Sequence, residues 1–344
     1  MKIGILTFHW ATNYGAVLQC YALQTYLEAI GHEVYVINYK PRHADCTLWN
    51  YIRFRHFLHH KRYCNSKKKE KVLEVFRDRH LNLTSRVCKK TAIPNLISDF
   101  DIVISGSDQI LNPSFLLNGE GRRKVSTAYF LDFPFKGKRI GYAVSFGCTI
   151  YPQKATTIAS KIINQIDRIG VRENSGLDIL RSMKYQNEMR VVPDPTILCY
   201  SELFKGIEFQ KPQATNYYCA YILHKEIKVA AANVFYIDEE NNPLTMEAWL
   251  GAITYSKGLI TNSYHGMIVA LLNRIPFVAL IVTTGATGMN DRLSTLLHTI
   301  GLEDRICSEN DDYMSVLSNK IDWVVVDAKI KSYSEIGREF LKIK

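Results

Sequence analysis

The chain has 344 residues, 47% of them hydrophobic and 22% charged, with a formal net charge of +10. That length exceeds what one hydrophobic core usually organises, so two domains are expected, and the apolar content excludes a largely disordered chain. No window approaches the roughly 20 uninterrupted apolar residues that span a bilayer, and the eight scattered cysteines form no Cys-x-x-Cys pair, which argues against a zinc site.

Lys2–Phe8 is a short apolar run that reads as a buried strand. It ends in the polar loop Trp10-Ala11-Thr12-Asn13-Tyr14-Gly15, and Ala16, Leu18, Ala22, Leu23, Tyr26 and Leu27 then recur at helical spacing until Gly31. With Glu33–Tyr39 as a second strand, this is the βαβ unit of a parallel sheet. Amides at such a strand-to-helix loop favour an anion or a sugar hydroxyl, and Asn13 and Gln19 add side-chain donors and acceptors. The loop lacks the Gly-x-Gly-x-x-Gly spacing, so a dinucleotide fingerprint is absent.

A basic segment follows. Between Arg53 and Lys90 there are 13 Lys/Arg against 3 acids, a surplus equal to the net charge of the whole chain. Tyr51, Phe54, Phe57, Leu58 and Tyr63 interleave with the cations. No nucleic-acid motif accompanies them. Two readings stay open: a solvated helical face, or peripheral contact with an anionic membrane through residues 50–92, at roughly 1 kcal/mol per cation.

Strand and helix patterns then alternate. Asp101–Ser105, Arg139–Ser145, Arg168–Val171 and Arg190–Val192 read as strands, with Pro152–Ile166 and Asn174–Met183 as helices. Ser201–Gln213 lacks periodicity and reads as a linker. Beyond it, Tyr217–Leu223, Val234–Ile237, Gly258–Thr261 and Pro276–Val282 are expected strands. Thr245–Tyr255, Tyr264–Asn273, Met289–Ile300 and Ser334–Leu341 are expected helices. The expected fold is α/β, two Rossmann-like lobes with an interlobe cleft at the carboxyl ends of the strands. Lobe one covers 1–205, with the basic insert at 50–92; lobe two covers 206–330, and 331–344 is a terminal helix.

Four loops carry candidate chemistry. Ser105-Gly106-Ser107-Asp108-Gln109 ends a strand, and Asp108 there is a candidate proton acceptor or merely a cap. Arg172 directly follows a strand and opens a helix, where a guanidinium fork suits a carboxylate or phosphate. In Thr261-Asn262-Ser263-Tyr264-His265-Gly266, a strand runs through small polar residues into an apolar helix. His265 in its first turn is the candidate acid/base, and Gly266 permits a close approach. Asn290-Asp291-Arg292 offers a second anion clamp, with Asp291 orienting Arg292, whereas Glu303-Asp304-Arg305 reads as a surface ion pair.

These pieces, in order, resemble the polysaccharide pyruvyl transferase family. The resemblance runs through Asn13-Tyr14-Gly15-Ala16-Val17-Leu18-Gln19, Gly106-Ser107-Asp108-Gln109 with Asn112-Pro113, Tyr129-Phe130-Leu131-Asp132-Phe133 and Tyr142-Ala143-Val144-Ser145-Phe146-Gly147. It continues through Val171-Arg172-Glu173, Asp194-Pro195-Thr196, the 261–266 loop and Gly301-Leu302-Glu303-Asp304-Arg305. It implies a fold similar to the two-lobed glycosyltransferase B type, and phosphoenolpyruvate as co-substrate, with no further cofactor and no metal. The acceptor it implies is a sugar, often a lipid-linked polysaccharide precursor, that receives a pyruvate ketal. Nucleic acid is not an expected partner. The resemblance makes His265 the acid/base and Arg172 a donor-binding residue, with Arg292 as a second. Asn262, Ser263 and Gly266 are expected on the donor side, Asp108 as the acceptor's base, and Asn13, Tyr14, Gln19, Gln109 and Asn112 on the acceptor side. Tyr264 stands where some members have Arg. A nucleotide-sugar-dependent glycosyltransferase of the same frame is the alternative. The absence of an export signal after Met1 places the expected enzyme in the cytoplasm, with the inner face of the plasma membrane as its peripheral site.

Overall fold

The structure is a computed structural model that describes residues 1–45, 60–121, 123–223, 227, 229, 231–281 and 288–342. Eleven strands among these residues build two separate sheets. In chain order they are β1 (Lys2–Leu6), β2 (Glu33–Val36), β3 (Ile102–Ser105), β4 (Lys138–Val144), β5 (Arg168–Val171) and β6 (Glu188–Val191), then β7 (Tyr218–Tyr221), β8 (Val234–Tyr236), β9 (Leu259–Thr261), β10 (Phe277–Leu280) and β11 (Ile306–Cys307). The first sheet runs β2-β1-β3-β4-β5-β6 and the second β11-β10-β9-β7-β8. Every pairing is parallel. The fold class expected from the sequence holds: two parallel α/β lobes.

Fully parallel sheets are covered on both faces, so their strands need near-continuous apolar runs. β3, β9 and β10 are buried at every position. Strand order reverses between β1 and β3 in the first sheet and between β7 and β9 in the second. Ligands of open α/β sheets bind beyond the carboxyl ends of strands at such reversals. The loops after β1 and β3 carry Asn13 and Asp108, and the first turn of the helix after β9 carries His265, so both reversal points contribute to one region.

Two helices bring the lobes together there. Tyr14–Ala29 follows β1 and buries 13 of its 16 residues, and Tyr264–Leu272 follows β9 and buries all but Leu272. A helix buried nearly all round lies inside a core rather than on a surface. Asn13 caps the first through its side-chain oxygen on the Ala16 amide (3.0 Å), and Ser263 caps the second on the Gly266 amide (3.2 Å). Their N-terminal turns meet: a Cβ on Gly15 would overlap the His265 imidazole. Tyr14 stacks on Trp249 of the second lobe, rings 5.0 Å apart and 4° from parallel, and donates its hydroxyl to the Leu244 carbonyl at 2.7 Å. Such a stack adds about 0.5–1.5 kcal/mol beyond its buried area.

Several elements differ from the sequence reading. The expected helix Pro152–Ile166 breaks at Ser160 into Gln153–Ala159 and a 3-10 turn Ile163–Gln165. The terminal helix runs Trp323–Leu341, and its last turns return to the first lobe, with Phe340 6.1 Å from Tyr142, centroid to centroid. Arg305 is no surface residue. It is fully buried, donates to the carbonyls of Val316 (2.7 Å) and Asn319 (2.9 Å), and so staples the segment after β11 to the second lobe.

The basic segment is the largest difference. His60–His80 is one helix, and part of its charge is spent inside the molecule. Lys69, 9% exposed, pairs with Glu239 of the second lobe at 2.7 Å, and Asn65 and Arg79 reach Asn241 and Glu247. Buried Arg77 donates to the carbonyls of His9 and Ala11, which fixes the loop after β1. This helix ties the lobes together through Lys69 and Arg79 and holds the loop after β1 through Arg77, while Lys67, Lys68 and Lys71 stay exposed. Residues 46–59, which carry Arg53, Arg55 and most of the aromatics in the anionic-surface expectation, lie outside the described residues. No helix among the described residues is long and apolar enough to cross a membrane.

Candidate active site

Asp194 is the hub. It follows β6, is 1% exposed, and caps the short helix Pro195–Leu198 by accepting from the Thr196 amide (3.0 Å) and hydroxyl (2.7 Å). Its other oxygen faces Arg172 Nη1 at 2.8 Å, the Ser107 hydroxyl at 3.3 Å and His265 Nε2 at 3.5 Å. Burial alone would raise this carboxyl's pKa, but the His265 ring, Arg172 and Thr196 outweigh it and hold the group far below the usual range. Arg172 of the first lobe and His265 of the second thus share one carboxylate across the cleft.

Asp108 forms the second charge centre. Its backbone has φ of 83°, a left-handed conformation that residues other than glycine seldom adopt. Oδ1 accepts from the Gln109 amide at 2.8 Å, meets Arg172 Nη2 at 3.3 Å, and lies 4.0 Å from Arg292 Nη1 of the second lobe. Burial opposes its ionisation, yet Arg172, His265 and Arg292 together keep its pKa below the ordinary aspartate value. Its side chain is 19% exposed, against 0% for Asp194, so it is the carboxylate of the pair that solvent reaches.

The two arginines are unequally compensated. Two carboxylates contact Arg172, and although burial works against it, they raise its pKa. Among the described residues, the ion pair of Arg292, 4% exposed, is with the Asp108 oxygen 4.0 Å away; burial together with the neighbouring Arg172 lowers its pKa, against the pull of Glu173 and Asp108. The Nε atoms of both arginines are buried without a hydrogen-bond partner. Buried polar groups are normally satisfied, so two unpartnered guanidinium N–H donors in one buried site leave hydrogen-bonding capacity suited to an anion. Glu173 adds an acid, 2% exposed, with Oε1 accepting from the Phe146 amide and Oε2 unpartnered. Burial raises its pKa, against the pull of Arg172 and Arg292.

The structure therefore brings together His265, Arg172, Arg292 and Asp108, four of the residues singled out in the sequence. It employs others differently. Tyr14 is fully buried in the lobe interface and cannot meet an acceptor. Gln19 is equally buried; it accepts from the Ser107 amide (3.0 Å) and donates to Thr7 Oγ1 (3.1 Å), which props the Asp108 loop. Asn262 spends both ends of its amide on the Leu223 backbone, at 2.7 and 2.9 Å. The Ser263 amide is taken by Thr261 Oγ1 at 2.9 Å. Gly266 makes room for Tyr221, whose Cδ1 would lie 2.9 Å from a Cβ there, rather than for a ligand. Asp291 accepts from the Ser175 hydroxyl across the cleft and does not orient Arg292. Asn13, Gln109 and Asn112 remain partly exposed at the cleft edge of the first lobe, the last two joined at 3.2 Å.

Sequence reasoning missed Asp194 and Glu173 as site residues. Both stand in quoted motifs, and a signal was available: each is an acid at the carboxyl end of a strand beside the Arg172 loop. The seven cysteines among the described residues are all free.

A search of curated protein sequences found no match to the chain. Among solved structures, the UDP-GlcNAc 2-epimerase of Methanocaldococcus jannaschii aligns over 99% of both chains with 10% identity and a TM-score of 0.47. That of Neisseria meningitidis, bound to UDP-GlcNAc, covers 100% of this chain and 95% of its own, with 9% identity and a TM-score of 0.48. The E. coli heptosyltransferase WaaC with ADP covers 98% of this chain and 100% of its own, with 12% identity and a TM-score of 0.38. A sequence profile of the polysaccharide pyruvyl transferase family matches residues 13–283, which takes in Asp108, Arg172, Asp194 and His265 and stops short of Arg292. The chain belongs to the polysaccharide pyruvyl transferase family.

Proposed function

We propose that this chain transfers the pyruvyl unit of phosphoenolpyruvate onto two hydroxyls of one sugar, forming a cyclic ketal and releasing phosphate. What supports this reading is Arg292, weakly compensated and buried with Arg172 beside a histidine and a partly exposed carboxylate, both arginines keeping an unpartnered Nε. A small trianion needs cations with unused donors, and a reaction that moves protons needs an acid and a base within reach.

His265 gives its proton to C3 of the enol, which leaves an oxocarbenium-like centre at C2. The first sugar hydroxyl attacks C2 and passes its proton to Asp108. The second hydroxyl attacks in turn, His265 takes that proton back, and phosphate departs with the one held by Asp108. Arg292 and Arg172 hold the phosphate throughout, and acid/base work of this kind contributes about 10²–10⁴-fold. Asn13, Gln109 and Asn112, at the first lobe's edge, are the acceptor-side residues of this proposal. A lipid-linked saccharide at the cytoplasmic face of the membrane is the acceptor it favours.

The test is to incubate the protein with phosphoenolpyruvate and candidate saccharides, free and lipid-linked, and to follow product mass and free phosphate. A pyruvate mass gain with matching phosphate supports the reading. Thermal protection by nucleotide-sugars, with no response to phosphoenolpyruvate, would replace it with sugar transfer.

A further inference from the structure

We infer that Tyr264 is a positioning residue that sets the two guanidiniums of the anion site at the spacing an incoming phosphate requires. Its ring lies 5.4 Å from Arg172 Cζ and 5.6 Å from Arg292 Cζ, centroid to carbon. All three side chains are buried: Tyr264 is 6% exposed, Arg172 2% and Arg292 4%.

The arrangement answers a physical difficulty. Arg172 and Arg292 come from different lobes, one after β5 and the other from the helix Gly288–Ile300, and both approach the same oxygen of Asp108. Two like charges converging in a buried space repel, and Arg172 is a principal cause of the lowered pKa of Arg292. One carboxylate shared between them does not hold two forks at a fixed separation. An aromatic ring attracts each cation through its negative face, and that attraction grows when water is excluded. Tyr264 meets both cations at once, so moving either guanidinium away from the site forfeits a contact. It also opens the helix Tyr264–Leu272 directly before His265, its ring 5.3 Å from the imidazole, so the groups that would hold phosphate and the group that would move the proton share one anchor. Both contacts are made by the ring rather than the hydroxyl.

This inference rests on the anion site described above, and phosphoenolpyruvate is its ligand only if the proposed function holds. The experiment therefore titrates inorganic phosphate and phosphoenolpyruvate separately into wild type, Tyr264→Phe, Tyr264→Leu and Tyr264→Met, with melting temperature recorded for each. Phe keeps the ring, Leu removes it, and Met fills the space flexibly without one. Steady-state KM values for donor and acceptor are measured alongside.

The expected result is binding within twofold of wild type for Tyr264→Phe. Loss of two cation–π contacts should weaken both ligands about tenfold in whichever ringless variant folds. The donor KM should rise with it, more than kcat falls, while the acceptor KM stays put. A folded Leu or Met variant with wild-type affinity for both ligands overturns the inference, and so does an acceptor KM that rises in step with the donor KM. If phosphate binds as described but phosphoenolpyruvate is never turned over, the functional reading fails while the role of Tyr264 is still decided by the phosphate titration.

Discussion

Asp194→Asn isolates the charge at the centre of the site. The asparagine keeps the shape and an acceptor oxygen for the Thr196 amide and hydroxyl, so the cap on Pro195–Leu198 survives. What disappears is the negative charge 2.8 Å from Arg172 and 3.5 Å from His265, where the Asp194 and Arg172 side chains are both 0% exposed. Arg172 would then keep Asp108, at 3.3 Å, as its one carboxylate within ion-pair distance among the described residues. Removing one partner of a buried pair costs about 3–5 kcal/mol, because a desolvated charge is left behind. Urea denaturation followed by tryptophan fluorescence should register that loss at pH 7. The sign with pH follows from the direction of the shift: the native carboxyl lies far below its ordinary value. Its contribution is fully present above the unfolded value of about 3.9 and fades as the pH falls below that toward the native one. The gap between wild type and variant should hold steady from about pH 5 to 8 and close in stronger acid. A variant within about 1 kcal/mol of wild type, or a gap that closes as the pH rises through neutrality, refutes the reasoning.

Three further outcomes are expected. Gly15→Ala, in most helices a gain of about 1 kcal/mol, should here cut turnover at least tenfold, because the new Cβ overlaps the His265 ring; a pyruvyl transfer assay decides. Lys69→Met should destabilise the fold by about 1–3 kcal/mol, because Glu239 Oε1 loses its cation and Oε2 keeps the Tyr221 hydroxyl, whereas neutralising exposed Lys68 or Lys71 should stay within about 0.5 kcal/mol by the same urea assay. His265→Ala should lose phosphate release by about 10²-fold or more with an unchanged circular dichroism spectrum.

The strands were legible because parallel sheets demand apolar runs, and β1, β3, β4 and β9 announce themselves that way. Their order was not, since pairing is decided between segments a hundred residues apart, as β1 is from β3. The helix Pro113–Asn118 carried a readable start, Asn112 capping with Pro113 next, but it is too short for periodicity. The terminal helix was read only from Ser334 because its first turn presents Val324 and Val325 to solvent, at 80% and 48% exposure, and breaks the apolar stripe. His265, Arg172 and Asp108 could be found locally, each sitting where a strand gives way to small polar residues. Asp194 could not be assigned its role, because its partners Arg172 and His265 stand 22 and 71 residues away and only the closed pair of lobes joins them. The same holds for Lys69: nothing in a run of lysines distinguishes the one that meets Glu239.

Calorimetric titration of phosphoenolpyruvate into wild type and Arg292→Leu bears most directly on the central claim that the two arginines hold the donor between the lobes. Removing Arg292 forfeits the Tyr264 ring contact and the 4.0 Å approach to Asp108 but relieves its repulsion with Arg172, so the variant should melt close to wild type. A hydrogen-bonded charge contact is worth about 1.5–3 kcal/mol, and its loss should weaken donor binding by about tenfold to a hundredfold. Equal affinity in the two proteins would place the donor somewhere else.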